Sequence, residues 1–124
     1  MPVTVEWVDD AHSILLAHVA DPWTWDDLFA AGDQASSLVG SVSHPVALVN
    51  DFTGTSRTPP NPITRLRELA EHLPTYTERT YMVGIHTLLG EIAVTTYSRV
   101  FGALELVPTL EEAYQRITAR RGSS

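Results

Sequence analysis

The sequence predicts an α/β domain: a mixed, mostly parallel sheet of about five strands with four helices, in the order β-β-α-β-α-β-α-β-α. Three observations carry this. Two almost unbroken apolar runs, Ile14 to Val19 and Val46 to Asp51, read as strands covered on both faces, the mark of a parallel sheet. Apolar residues at helical spacing fill the stretches between strand-like segments. Finally, 124 residues, 44% of them hydrophobic, suffice for one core without disulfide or metal staples.

Each element has its own signal. Val3, Val5 and Trp7 alternate with Thr4, Glu6 and Val8, the period of a half-buried strand, and the polar stretch from Asp9 to Ser13 joins it to the next strand as a hairpin. Trp25, Leu28, Phe29, Gly32, Ala35, Leu38 and Val39 mark one helix face; Thr24 with Asp27 caps its start and Gly40 stops it. After Val46 to Asp51 comes a hydroxyl-rich loop, Phe52 to Pro60. Asn61 then reads as an N-cap with Pro62 in the first turn of a helix that Pro74 ends. Tyr81 to Ile85 reads as a strand, Leu88 to Phe101 as a helix closed by Gly102, and Ala103 to Val107 as the last strand. Thr109 and Glu112 form a capping box for a final helix with Leu110, Ala113, Tyr114 and Ile117 on its apolar stripe. One domain is expected over 1–121, with 122–124 a frayed tail.

Composition excludes whole classes of function. There is no cysteine, hence no disulfide framework, thiolate metal site or thiol nucleophile. The net charge of −7 opposes binding to phosphate backbones, so nucleic acid is not expected as a partner. The N-terminal stretch lacks the basic and apolar segments of a secretory signal, and no apolar run is long enough for membrane insertion. A cytoplasmic location is the expectation.

The segment Val49-Asn50-Asp51-Phe52-Thr53-Gly54, set in this element order, resembles the Asp-Leu-Ser-Gly stretch at the end of the third strand in the SpoIIAA-like (STAS) domain family. The resemblance covers nearly the whole chain in pattern and is specific around that stretch. It implies a signalling or protein-binding module and, through kinship of fold with CRAL-TRIO domains, an alternative as a binder of small apolar or lipid-like ligands. Antagonist members carry a phosphorylated serine at the start of the next helix. Pro59-Pro60-Asn61-Pro62 stands at that place here, and Asn61 has no hydroxyl to phosphorylate.

In an open parallel sheet, ligands gather beyond the carboxyl ends of the strands. That edge should collect Asp21 to Thr24, Asp51 to Asn61, Gly84 to Thr87 and Val107 to Thr109. The candidate partner-binding residues are therefore Asp51, Thr53, Ser56, Arg57, Asn61, His86, Thr87 and Trp23. Amides at the helix starts by Asn61 and Thr87, with Arg57, suit an anion; the plain reading makes both residues ordinary caps. Thr53, Thr55, Ser56 and Thr58 offer phosphorylatable hydroxyls on what is otherwise a turn. Trp23 is either an interface anchor or part of a satellite cluster under the hairpin.

Sharper chemistry is not supported by spacing. Ser56 lacks the second glycine of a nucleophile elbow, so a serine hydrolase is a remote alternative. The five histidines show no metal-ligand spacing. Asp26 and Asp27, like Glu111 and Glu112, sit in first helical turns where negative charge is favoured. The expectation is a non-enzymatic module without cofactor or metal that binds a protein partner or a small apolar ligand, with homodimerisation left open.

Overall fold

The computed structural model describes residues 2–56, 59–69, 71–72, 77–85 and 104–122. Five strands, β1 (Val3–Trp7), β2 (Ile14–Ala20), β3 (Val46–Gly54), β4 (Thr77–Val83) and β5 (Leu104–Val107), form one sheet in the order β1-β2-β3-β4-β5. β1 pairs antiparallel with β2, and every other pairing is parallel. Among the described residues there are three helices, α1 (Trp25–Gly40), α2 (Pro62–Leu69) and α3 (Leu110–Gly122). The fold is thus α/β with a mixed sheet and an antiparallel edge, as the periodicities predict. The helix count of four is not matched: the helix expected over Leu88 to Phe101 lies outside the described residues.

Alternation along the strands builds two cores. Leu15, Val46 and Leu48 turn to one face and pack under Ala35 and Val39 of α1. Val3, Val19, Trp23, Phe29, Phe52 and Met82 continue that layer toward Leu69 of α2. On the opposite face Ala47, Val49, Tyr81, Val83 and Val107 meet Ala113 and Ile117 of α3. Both faces are therefore covered, which explains why β3 reads as an unbroken apolar run. Leu48 is 1% exposed, and burying such a side chain stabilises by about 1.5–3 kcal/mol.

Several boundaries depart from the sequence reading. β3 runs on through Phe52, Thr53 and Gly54, which the composition assigns to a loop. The extra pairing of Ala20 with Gly54, after a register shift past His18 and Asp51, supplies the ladder that no local signal announces. β4 starts at Thr77 and ends at Val83 instead of spanning Tyr81 to Ile85. Its polar first half conceals the strand, and Gly84 closes it with φ of 76°, its N–H donating to Val107 O at 3.1 Å. A Cβ at Gly84 would come within 2.6 Å of Thr53 Cγ2, so glycine lets two strand ends approach. No described helix is long and apolar enough to cross a membrane.

Candidate functional site

The carboxyl ends of the parallel strands share one edge, where β2 leads into Asp21–Thr24 and β3 into Thr55–Asn61. The capping box at Thr24 fixes how the first segment enters α1: Asp27 N donates to Thr24 Oγ1 at 3.1 Å and Thr24 N to Asp27 Oδ2 at 2.9 Å. The two segments are clasped together. Asp21 Oδ2 accepts from the backbone N and the Oγ of Ser56 at 2.7 and 2.6 Å. Asp21 N donates to Gly54 O at 3.3 Å, and Trp25 Nε1 donates to Pro60 O at 2.9 Å. The Asp21–Pro22 peptide bond is cis.

Between the clasped segments lies a cavity of about 670 Å³ lined by Asp21, Pro22, Trp23, Trp25, Ser56 and Arg65, among others. Trp23 and Trp25 are only 8% and 6% exposed, their rings edge to face at 5.1 Å, with Phe52 meeting Trp23 at 5.7 Å. Among the described residues Trp23 Nε1 is buried without a hydrogen-bond partner, an omission that costs about 1–3 kcal/mol. Arg65 places its guanidinium over the Phe29 ring at 5.0 Å, 2.7 Å from Glu68 and 3.6 Å from Asp26.

A second polar group sits at the same edge, on the α3 face. Asp51, 4% exposed, accepts from Thr53 N at 2.9 Å and Thr53 Oγ1 at 2.6 Å through Oδ1. Its Oδ2 lies 3.1 Å from Nδ1 of half-exposed His18, its direct partner in the β2–β3 register. The buried carboxylate is thereby fully engaged, as burial of a charge requires. Tyr114 of α3 stands nearby; burial pushes its phenol above the ordinary value, and the charges of Asp51 and Glu6 push the same way.

The expected site residues divide accordingly. Ser56 and Trp23 meet at the cavity, whereas Asp51 and Thr53 join His18 on the other face of the sheet. Of the two readings left open for Trp23, its burial against Trp25 and Phe52 fits the cluster. Asn61 begins α2 with φ of 62°, and its carbonyl accepts from Arg65 N at 3.0 Å. Arg57, His86 and Thr87 lie outside the described residues. His18 and Arg65 are absent from the sequence expectation. A histidine late in an apolar strand, opposite an aspartate late in the next, is the signal that points to the first; Arg65 carries no such signal.

Chemically, the arrangement holds groups in place. The Ser56 hydroxyl donates to a carboxylate, and the His18 ring is tied to Asp51. Among the described hydrogen bonds, none joins the two. Among the described residues no three His, Asp or Glu side chains gather as metal ligands do. No family model, curated protein or solved structure matches this chain.

Proposed function

We propose that the chain is a non-catalytic recognition module of the STAS-like kind its sequence resembles, working in the cytoplasm and docking a protein partner at the carboxyl edge of its parallel strands. The observation that carries this reading is the clasp of Asp21 on Ser56 and of Trp25 on Pro60, around a cavity with two tryptophans in its wall. Loops positioned by a rigid sheet are where binding residues concentrate, and tryptophan in a sheltered pocket is the side chain that most often anchors an interface.

The test is quantitative affinity capture with the intact chain and with Arg57→Ala and Asn61→Ala. Arg57→Ala should keep the parent melting temperature, Asn61→Ala should fold with a loss of about 1 kcal/mol because alanine is strained at its φ of 62°, and both should lose the same enriched protein. Variants that fold and retain it would remove this edge from the interface. Cavity volume favours a second reading, since about 670 Å³ falls in the range of small-molecule pockets. Native mass spectrometry distinguishes it: an apolar molecule copurifying with the chain, and displaced by Trp25→Ala, supports the small-ligand reading over the protein partner.

A further inference from the structure

The outer side of β1 is a surface of a different kind. Val8 N donates to Ile14 O at 3.0 Å and Ala20 N donates to Pro2 O at 2.8 Å, which fixes the phase of the β1–β2 ladder. In an antiparallel pair, residues whose backbone groups face the partner alternate with residues whose groups face away. Pro2, Thr4, Glu6 and Val8 therefore turn toward β2, and Val3, Val5 and Trp7 turn their N–H and C=O groups outward. Among the described residues no strand pairs with them. Their side chains root the strand in the cores beneath α1, so the outward groups are held in a fixed row.

Exposed sheet edges are ordinarily blunted by shortness, bulges, proline or clustered charge. β5, at the opposite edge, is four residues long, has Glu105 drawing in Arg79, Arg116 and Arg120, and runs into Pro108. β1 lacks these devices: its register with β2 runs without a shift, and Pro2 lacks an N–H on the side that faces β2. The strand is also complementary to itself. A two-fold axis through Val5 sets Val5 against Val5 of a second copy, Val3 against Trp7, Pro2 against Val8 and Thr4 against Glu6. Apolar meets apolar, and the carboxylate meets a hydroxyl. Val8, 42% exposed in the single chain, gains cover from Pro2. Moving the axis by one residue opposes either the two Glu6 carboxylates, which is unfavourable, or Glu6 and Pro2.

We infer that β1 is a homodimer interface: two copies pair antiparallel through β1 about a two-fold axis at Val5, joining two five-stranded sheets into one. The inference stands on the free strand and does not depend on the recognition reading.

The chain has no cysteine, so introduced thiols report the register without background. Val5→Cys places two thiols on a hydrogen-bonded antiparallel pair, about 5.5 Å between Cα atoms, inside the span a disulfide bridges. In a glutathione buffer it should cross-link at least about tenfold faster than Thr4→Cys, whose two copies sit diagonally about 7–8 Å apart. Thr4→Cys mixed with Glu6→Cys should form the mixed disulfide at the fast rate. Sedimentation velocity of the parent chain should shift from monomer to dimer as concentration rises. Val5→Pro removes an outward N–H and leaves the ladder to β2 intact; it should keep the parent circular dichroism and lose the dimer. A monomer at every concentration, a dimer that survives Val5→Pro, or equal cross-linking of Val5→Cys and Thr4→Cys would each overturn the interface. The thiol series and the parent's sedimentation decide it if the proline variant does not fold.

Discussion

The two ends of the parallel strands are finished in opposite ways. At the amino ends charged side chains gather into networks: Arg121 donates to Glu78 at 2.7 Å, to Ser13 Oγ at 2.9 Å and to Ser13 O at 2.8 Å, tying the end of α3 to the starts of β2 and β4. Glu105 of β5 gathers Arg79, Arg116 and Arg120. Asp9 accepts from the backbone N of Ser13 and Ile14 and from Ser13 Oγ. At the carboxyl ends a cavity remains open; among the described residues the buried indole N–H of Trp23 has no acceptor there, as Glu105 Oε2 has no donor at the amino ends. Networks of charged side chains close one end, whereas at the other the hydrogen bonds clasp two segments around an open cavity, which is why the proposed docking edge lies there.

That contrast can be broken by substitution, beginning with the largest effect. Ile117, 2% exposed beneath α3, fastens the closed end, and Ile117→Ala should cost about 2–5 kcal/mol in denaturant unfolding while the surviving folded protein binds as before. Lost binding without lost stability would mean that α3 belongs to the interface. Arg121→Met removes the fork between Glu78 and Ser13, and should cost about 1–2 kcal/mol after allowing for solvent screening. An unchanged unfolding midpoint would show that the closed end owes its stability to apolar packing alone.

Ser56→Ala should cost only about 0.5–1 kcal/mol, because the lost hydrogen bond is exposed. Its sharper effect is local: amide exchange should speed up across Asp21–Thr24 and stay unchanged around Glu78 and Arg121. Uniform acceleration would contradict separate ends. The smallest effect is acidic. Burial alone would raise the Asp9 carboxyl, but the hydrogen bonds from Ser13 and Ile14 outweigh it and hold the group below its ordinary 3.8. A lowered folded pKa means that Asp9 stabilises the fold above that ordinary value, and that the contribution disappears as pH falls through the folded pKa. Asp9→Asn should therefore flatten part of the stability loss below about pH 4. An acid limb identical to the parent's would assign the loss to other carboxylates.

The same division decides what the sequence could reveal. The Thr24–Asp27 box, the apolar run of β3 and the stripe of α3 are local patterns, and each stands where its pattern puts it. Phe52 and Gly54 are drawn into β3 by a register shift against Ala20, and Thr77 to Arg79 enter β4 despite their polarity; both outcomes depend on a neighbouring strand. The edge itself followed from the parallel order, which brought Trp23 and Ser56 together. Its contents did not. The bonds from Ser56 to Asp21 and from His18 to Asp51 span 35 and 33 residues, separations at which no spacing rule operates.

The most direct test is a hydrogen-exchange footprint of the chain bound to its captured partner. The account predicts new protection over Asp21–Asp26 and Ser56–Asn61, with exchange at Ser13, Glu78 and Arg121 unaltered. Protection confined to the amino ends of the strands, with the clasped segments exchanging as in the free protein, would contradict it.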